Sequence, residues 1–278
     1  MSKNLQIQLR AMAGMFRRDY KIFFRYPMNA IFRIVEPVAW LTPIYFMGKG
    51  FAINGENVGF AAYTGNGDYM AFIILGVILS SYVSAVLWGI GYSLKQQMDI
   101  GVLESNWLTP IPRITHLIGQ TLFNVLITTL NSIGVALIIW LLFGFELNFE
   151  KILLAILTAL PMIIAIYGFG FGFAALVMLM RDANTLVDTG NFIINLLSGA
   201  NFPITVLPRF LLVVSLSIPL TYGYDAIRGM LLGTRTVLPI HQEQMILVVF
   251  MGAMVVLGVL VFKWLERRCK KLGTIGMH

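Results

Sequence analysis

Residues 152–180, ILLAILTALPMIIAIYGFGFGFAALVMLM, run for 29 residues without a lysine, arginine, aspartate or glutamate. A helix needs about 20 apolar residues to cross a hydrocarbon core about 30 Å thick, so this stretch is long enough to span a membrane. Residues 69–94 and 117–145 repeat the pattern, charge-free over 26 and 29 residues. Charged residues make up 12% of the 278-residue chain, about half the share in an ordinary soluble domain, and they gather between and beside these runs. That distribution excludes a soluble enzyme, a secreted disulfide scaffold and a nucleic-acid-binding domain. The net charge of +7 lies mostly at the two ends of the chain, flanking apolar spans. The one cysteine, Cys269, permits no intrachain disulfide, and its basic surroundings read as cytosolic. The first 30 residues are basic and amphipathic, without the apolar core and cleavage site of a signal peptide.

Three further spans complete the expected set. Residues 245–262 form a clear one between Glu243 and Lys263. Residues 186–207 form another, holding Gly190, Gly199 and Pro203. Residues 31–51 form the first and weakest, because they contain Arg33, Glu36, Pro37 and Pro43. Arg33 and Glu36 are three apart, a spacing that lets them pair on one helix face near the membrane surface. The expected fold is therefore an all-α integral membrane protein with six transmembrane helices.

Basic residues set its orientation. Residues 1–30 carry six cations against Asp19, and the tail from Lys263 carries five against Glu266, so both termini read as cytoplasmic. Loop 54–68 has two acids and no base, as expected outside, and turn 144–150 agrees. The loops with Lys95 and Arg113, and then Arg181, return to the cytoplasm. Residues 210–224 are uncharged but broken by Pro219; a seventh span here would put the basic tail outside. They read instead as short re-entrant helices between spans five and six, which irregular backbone permits where protein or a water-filled cavity covers it. The N-terminal segment places Leu5, Leu9, Met12, Phe16, Tyr20 and Phe23 at helical spacing, with Arg10, Arg17, Arg18 and Lys21 largely off that stripe. Two readings stand: an amphipathic helix lying on the inner membrane face, or a cytoplasmic start that merely obeys the positive-inside rule.

The catalytic inventory is thin. His116, His241, His278 and Cys269 have no metal-ligand spacing. No phosphate-binding G-x-x-x-x-G-K-[ST] occurs, so this chain is not expected to bind ATP by that route. Gly168, Gly170 and Gly172 resemble a nucleotide loop only as text; inside a span they read as sites of close helix packing. Glu36, Asp188 and Asp225 are the acids at membrane depth, with Asp182 at a span end, and the cores of spans two, three, four and six hold none. That counts against a proton- or ion-coupled carrier. Asp225 and Arg228, again three apart, read as a structural pair or, alternatively, part of a substrate site.

The most informative loop is KQQMDIGVLESNWLTPIPR, residues 95–113. Ile100, Leu103 and Trp107 are spaced to give a short helix one apolar face, with Glu104 beside it, and Pro110 and Pro112 stop that helix before the next span. Such a helix on the cytoplasmic side suits docking to a partner protein.

Gly101-Val-Leu-Glu104 followed by Leu108-Thr-Pro110-Ile-Pro-Arg113 resembles the G-T-L-E…(S/T)-P-x-x-R segment of ABC-2 type transporter permeases, the membrane subunits of ABC exporters. A second stretch, Gly199…Pro203…Leu207-Pro208 continuing to Pro219-Leu-Thr-Tyr222…Asp225-Ala-Ile-Arg228-Gly229, is similar to that family's G-x-x-x-P…L-P…P-L-x-Y…D-x-x-R-G pattern. The two lie in register with the six-span layout, and the resemblance runs in order over nearly the whole chain. Val102 stands where threonine is common, and Asn106-Trp107 replaces a more usual aliphatic pair; these departures blur the subfamily and hence the cargo.

The resemblance implies a single transmembrane domain over residues 1–278, with an interfacial helix at 1–30, a cytoplasmic coupling loop at 95–116 and an extracytoplasmic re-entrant region at 208–235. It implies no cofactor on this chain, with ATP and Mg bound by a separate ABC ATPase present in two copies. The other expected partners are a second copy of this chain or a homologous permease, and membrane lipids, in the cytoplasmic (inner) membrane. Coupling is expected through Gly101, Leu103, Glu104, Trp107, Pro110 and Arg113. Arg181 and Asp182 read equally as a second ATPase contact or as a basic anchor with a helix cap. Candidate lining of the substrate path, with its aromatic groups, amides and hydroxyls, is Tyr82, Ser84, Trp88, Asn124, Thr128, Asn131, Phe192 and Asn195, a set suited to an amphipathic cargo. The alternatives are a secondary transporter or channel, disfavoured by the missing midplane charges, and a membrane enzyme acting on lipid-linked sugars, disfavoured by the missing catalytic cluster.

Overall fold

The computed structural model describes residues 2–52, 57–109, 111–144, 148–180 and 183–272. Among them the chain is helical, with no strand. Five helices are long and apolar enough to cross a membrane. They are α2 (Pro27–Gly50), the unit begun by α4 (Tyr69–Val86), α7 (Arg113–Phe143), α8 (Ile152–Leu179) and α12 (Ile240–Leu272). α1 (Ser2–Arg25) precedes them and α3 (Val58–Thr64) lies between the first two. α4 runs through a π-helical turn, Leu87–Tyr92, into α5 (Ser93–Asp99), and α6 (Val102–Trp107) follows. α9 (Ala183–Leu197), α10 (Arg209–Leu216) and α11 (Pro219–Leu232) separate α8 from α12.

The expected fifth span, 186–207, is shorter than its hydropathy implied. α9 stops after 15 residues, about 22 Å of helix, because Gly199 adopts a left-handed φ of 80° and Pro203 and Pro208 follow. α10 and α11 meet at 91°, the sharp break expected near Pro219; counted as one bent span they raise the total to six. Thr221 Oγ1 donates to Ser215 O (2.7 Å) and the Tyr222 hydroxyl to Leu216 O (2.8 Å), and these two bonds fasten the bend. Pro219 opens α11, where its missing N–H costs nothing.

α8 and α12 make the most extensive helix pairing among the described residues. The glycine run is the reason: a Cβ on Gly168 would strike the backbone of Met254 and Val255, and one on Gly258 would strike Gly168 O. Gly170 lies against Val86 of α4 in the same way. The packing reading holds for Gly168 and Gly170, whereas a Cβ on Gly172 would meet only ordinary van der Waals contacts. Around this pair a core of Met162, Tyr224, Leu247, Phe262, Leu87 and Ile90 is almost fully buried.

α1 packs on α7 with a face rotated from the expected stripe. Met12 and Met15 lie over Gly119, while Phe16 and Phe23 meet Phe123 edge-on at 5.5 and 6.1 Å. Leu9 and Tyr20, expected on the same face, point outward.

Candidate functional site

Two features are candidates: a large cavity among α2, α4, α7 and α9, and the loop end formed by α5, α6 and the start of α7. The cavity has a volume of about 1010 Å³. Helix ends and glycines build it. Asp68 caps α4, its Oδ1 accepting from Ala71 N at 2.9 Å, and the α4 unit then runs continuously to Asp99. The π-helical turn at Leu87–Tyr92 sits on the cavity wall, a placement common for such bulges at functional sites. Gly89 in this turn leaves room for Asn124 of α7, whose Nδ2 donates to Ala85 O at 3.0 Å. Gln120 donates to Gly89 O (3.3 Å) and to Ser93 Oγ (2.8 Å), holding the bulge to α7. Deeper along the wall Ser81 and Ser132 share a 3.0 Å hydrogen bond, and Ser84 donates to Asn191 Oδ1 at 3.2 Å.

Of the residues proposed from sequence, Ser84, Trp88, Asn124, Thr128 and Asn131 line this cavity together. Tyr82 does not; it is buried in the core with its hydroxyl on Thr129 Oγ1 at 2.9 Å. Asn195 turns to its own helix, donating to Asn191 O (3.0 Å) and Oδ1 (2.9 Å), and Phe192 is exposed elsewhere. The reading from sequence missed Ser81, Asn191 and Asn201, and it missed that Arg33 and Glu36 face the cavity. The expected Arg33–Glu36 ion pair does not form; neither side chain has an ion-pair or hydrogen-bond partner among the described residues. An i,i+3 pair gains only about 0.2–0.5 kcal/mol, too little to hold two long side chains together when space opens beside them.

At the loop end, Gly101 takes a left-handed φ of 73° and turns the chain from α5 into α6. Its N–H donates to Met98 O (3.0 Å), while Ile100 N donates to Gln96 O (3.1 Å). Leu103 then enters the core beside Leu94, Met98 and Leu117, whereas Ile100 is 65% exposed. The single apolar face expected from their spacing is therefore split, because the Gly101 turn breaks the helical phase between them. Glu104 and Trp107 lie on α6, with side chains outside the described set; Pro110, Arg181 and Asp182 lie outside the described residues. Arg113 forms an ion pair with Glu266, tying the start of α7 to the far end of α12. Lys95 and Asp99 pair at 2.8 Å.

The second motif folds around Arg228, which is 2% exposed. Its Nε donates to Phe72 O (3.1 Å), Nη1 to Gly199 O (2.6 Å) and Nη2 to Ala200 O (2.5 Å). Its guanidinium carbon lies 3.5 Å from the Phe72 ring centroid. The expected Asp225–Arg228 pair is absent: Asp225 turns the other way and accepts from Val237 N at 2.6 Å. Gly199, Pro203, Pro208, Pro219, Tyr222, Asp225 and Arg228 thus shape the chain between α9 and α12. Glu243, read from sequence only as a span boundary, is fully buried and accepts from Leu238 N at 3.1 Å.

A family model described as ABC-2 type transporter matches residues 10–232, most of the chain and both motifs. The chain belongs to the ABC-2 type transporter family. It is a multi-pass membrane protein and, by family, a transport permease. No curated protein matches it. The matched region includes the cavity walls, the α5–α6 turn and the Arg228 cage, and it stops at the end of α11.

Proposed function

We propose that this chain is the membrane subunit of an ATP-driven exporter that moves an amphipathic molecule out across the cytoplasmic membrane. A drug, a lipid, a lipid-linked glycan or a lipo-oligosaccharide fits that description. The observation that carries the reading is the cavity itself. Its wall combines Trp40, Trp88 and Ile73 with Ser84, Asn131 and Asn191, apolar bulk beside hydrogen-bonding groups with Arg33 and Glu36 at one end, within a chain of the ABC-2 family.

In this account two permease copies face each other, each docked on one ATPase subunit that binds ATP and Mg. The α5–α6 turn carries the motion. Leu103, buried against Leu94 and Leu117, is its anchor in the core; Glu104 and Trp107 meet the ATPase, and Arg113 passes the displacement to α7 and, through Glu266, to α12. Arg181 and Asp182 add a smaller contact. Both termini and this loop face the cytoplasm in this reading, which the basic residues at 1–30, 95–113 and 263–271 support. The test is to purify the chain with its ATPase and measure ATP hydrolysis in proteoliposomes. Stimulation by amphipathic compounds supports the proposal. Indifference to them, with stimulation by a simple ion or free sugar, overturns the cargo assignment, and absence of any ATPase association overturns the exporter assignment.

A further inference from the structure

One face of α2 presents Arg33, Glu36, Trp40, Ile44 and Met47 to the large cavity, at helical steps of three and four. The order along that face is a cation, an anion, an indole and then two aliphatic side chains. α2 stands in register with α7 through Tyr45 on Phe143, ring centroids 4.2 Å apart, and Ile34 against Gly134. It stands in register with α4 through Gly48 against Tyr69. Those contacts set Arg33 and Glu36 opposite the hydroxyls and amide of Ser81, Ser84 and Asn131, and set Ile44 and Met47 opposite Ile73 and Tyr69. The cavity is thus polar and charged at one end and apolar at the other.

Opposite charges one helical turn apart within a span, neither with an ion-pair or hydrogen-bond partner among the described residues, are both free to meet a ligand. A purely anionic ligand would satisfy Arg33 and leave the Glu36 carboxylate opposing it one turn away. A purely cationic one would do the reverse. Both charges are met at once by a ligand that carries an anion and a cation about 4.5 Å apart, the axial separation of i and i+3 on a helix. Trp40, one turn beyond Glu36, presents an indole to the cationic part, and a ring face attracts an ammonium ion. Pro37 adds an acceptor on the same side, since it has no N–H to donate to the Arg33 carbonyl.

We propose that the Arg33–Glu36–Trp40 end of this cavity is a binding site for a zwitterionic head group, phosphate toward Arg33 and ammonium toward Glu36 and Trp40, with the ligand's alkyl tail along Ile44 and Met47. As a statement about cargo this rests on the exporter reading above; as a binding site it stands without it.

The test uses the full chain in maltoside micelles without nucleotide, titrated with three amphiphiles of one tail length: an alkylphosphocholine, an alkyl sulfate and an alkyltrimethylammonium. Tryptophan fluorescence reports binding, and Trp40→Phe and Trp88→Phe assign the signal to the cavity. The phosphocholine binds tightest, by about tenfold, as expected for one charge-assisted contact more than either competitor makes. Arg33→Gln abolishes its advantage over the ammonium compound, and Glu36→Gln abolishes its advantage over the sulfate. Neither side chain is buried or holds a hydrogen bond or ion pair among the described residues, so neither variant removes a contact on which the fold rests. Equal affinity for the three head groups, or a ranking unchanged in both variants, overturns the proposal. Free phosphorylcholine binding as tightly as its alkyl ester overturns the amphiphile assignment and makes this a site for a soluble zwitterion. Because no ATP is present, failure here leaves the exporter reading untouched, and failure of ATP-driven export leaves this result standing.

Discussion

Replacing Arg228 with methionine removes the side chain that ties α11 to α4 and to the turn after α9. Three donors are lost, to Phe72 O, Gly199 O and Ala200 O. Phe72 lies within α4, whose helical ladder still serves its carbonyl, so two buried acceptors are orphaned; at about 1–3 kcal/mol each the loss is roughly 2–6 kcal/mol. The contact between the guanidinium and the Phe72 ring, with 3.5 Å to the centroid, contributes up to about 2 kcal/mol more when desolvated. Against this, methionine spares the cost of burying a cation, which returns several kcal/mol, and the net expectation is a destabilisation of about 3 kcal/mol. Thermal unfolding of the purified protein, followed by loss of the monodisperse peak after heating, ranks the variants. Arg228→Met is least stable. Arg228→Lys is intermediate, since an ammonium is a point charge that cannot reach three carbonyls in a plane. Asp225→Asn stays near wild type, because an amide oxygen also accepts from the Val237 N–H and an amide can still hydrogen-bond the neighbouring Glu243 carboxyl. Wild-type stability in Arg228→Met, or an Asp225→Asn defect as large as that of Arg228→Met, refutes the carbonyl cage and restores a simple ion pair.

Gly258→Ala places a methyl on Gly168 O and forces α8 and α12 apart, costing about 1–3 kcal/mol of thermal stability, whereas Gly252→Ala, with open space at the same helix, changes little. Glu104→Ala and Trp107→Ala leave membrane insertion intact and uncouple transport from ATP hydrolysis, with the tryptophan truncation weakening ATPase co-purification by about 2 kcal/mol or more; wild-type export in both variants contradicts the coupling role. Single cysteines at 16 and 17 label differently with an aqueous thiol reagent: position 17 is exposed and reacts, while position 16 packs on Phe123 and is protected. Equal labelling contradicts the docking of α1 on α7.

How far the fold could be read in advance depended on what each residue type reports. Charge-free runs report length, and they located α4, α7, α8 and α12 because nothing else explains such stretches. Glycines inside a span report close approach, and Gly168 and Gly170 meet that expectation. Hydropathy does not report backbone direction, so α9 was extended through Gly199, whose left-handed φ ends it. Spacing of opposite charges reports only opportunity. Arg33 and Glu36, like Asp225 and Arg228, could pair by sequence distance, yet three-dimensional neighbours decide: buried carbonyls take Arg228, and an open cavity leaves Arg33 and Glu36 apart. Leu103 and Ile100 divided for a related reason, since the phase of an amphipathic stripe does not survive the Gly101 turn. The cavity itself needed the third dimension, because its wall draws polar residues from four helices. Only the amide and hydroxyl content of α4 and α7 announced it.

If this chain is the exporter proposed above, an amphipathic molecule crosses the membrane only as ATP is hydrolysed by a separate subunit. Proteoliposomes holding the purified permease–ATPase complex, supplied with ATP on the ATPase side and a fluorescent amphiphile, test it directly. ATP-dependent movement of the amphiphile away from the ATPase side is expected, with hydrolysis stimulated by the same compound and both lost in Glu104→Ala. Movement that persists without the ATPase subunit and follows an imposed proton or ion gradient would contradict it.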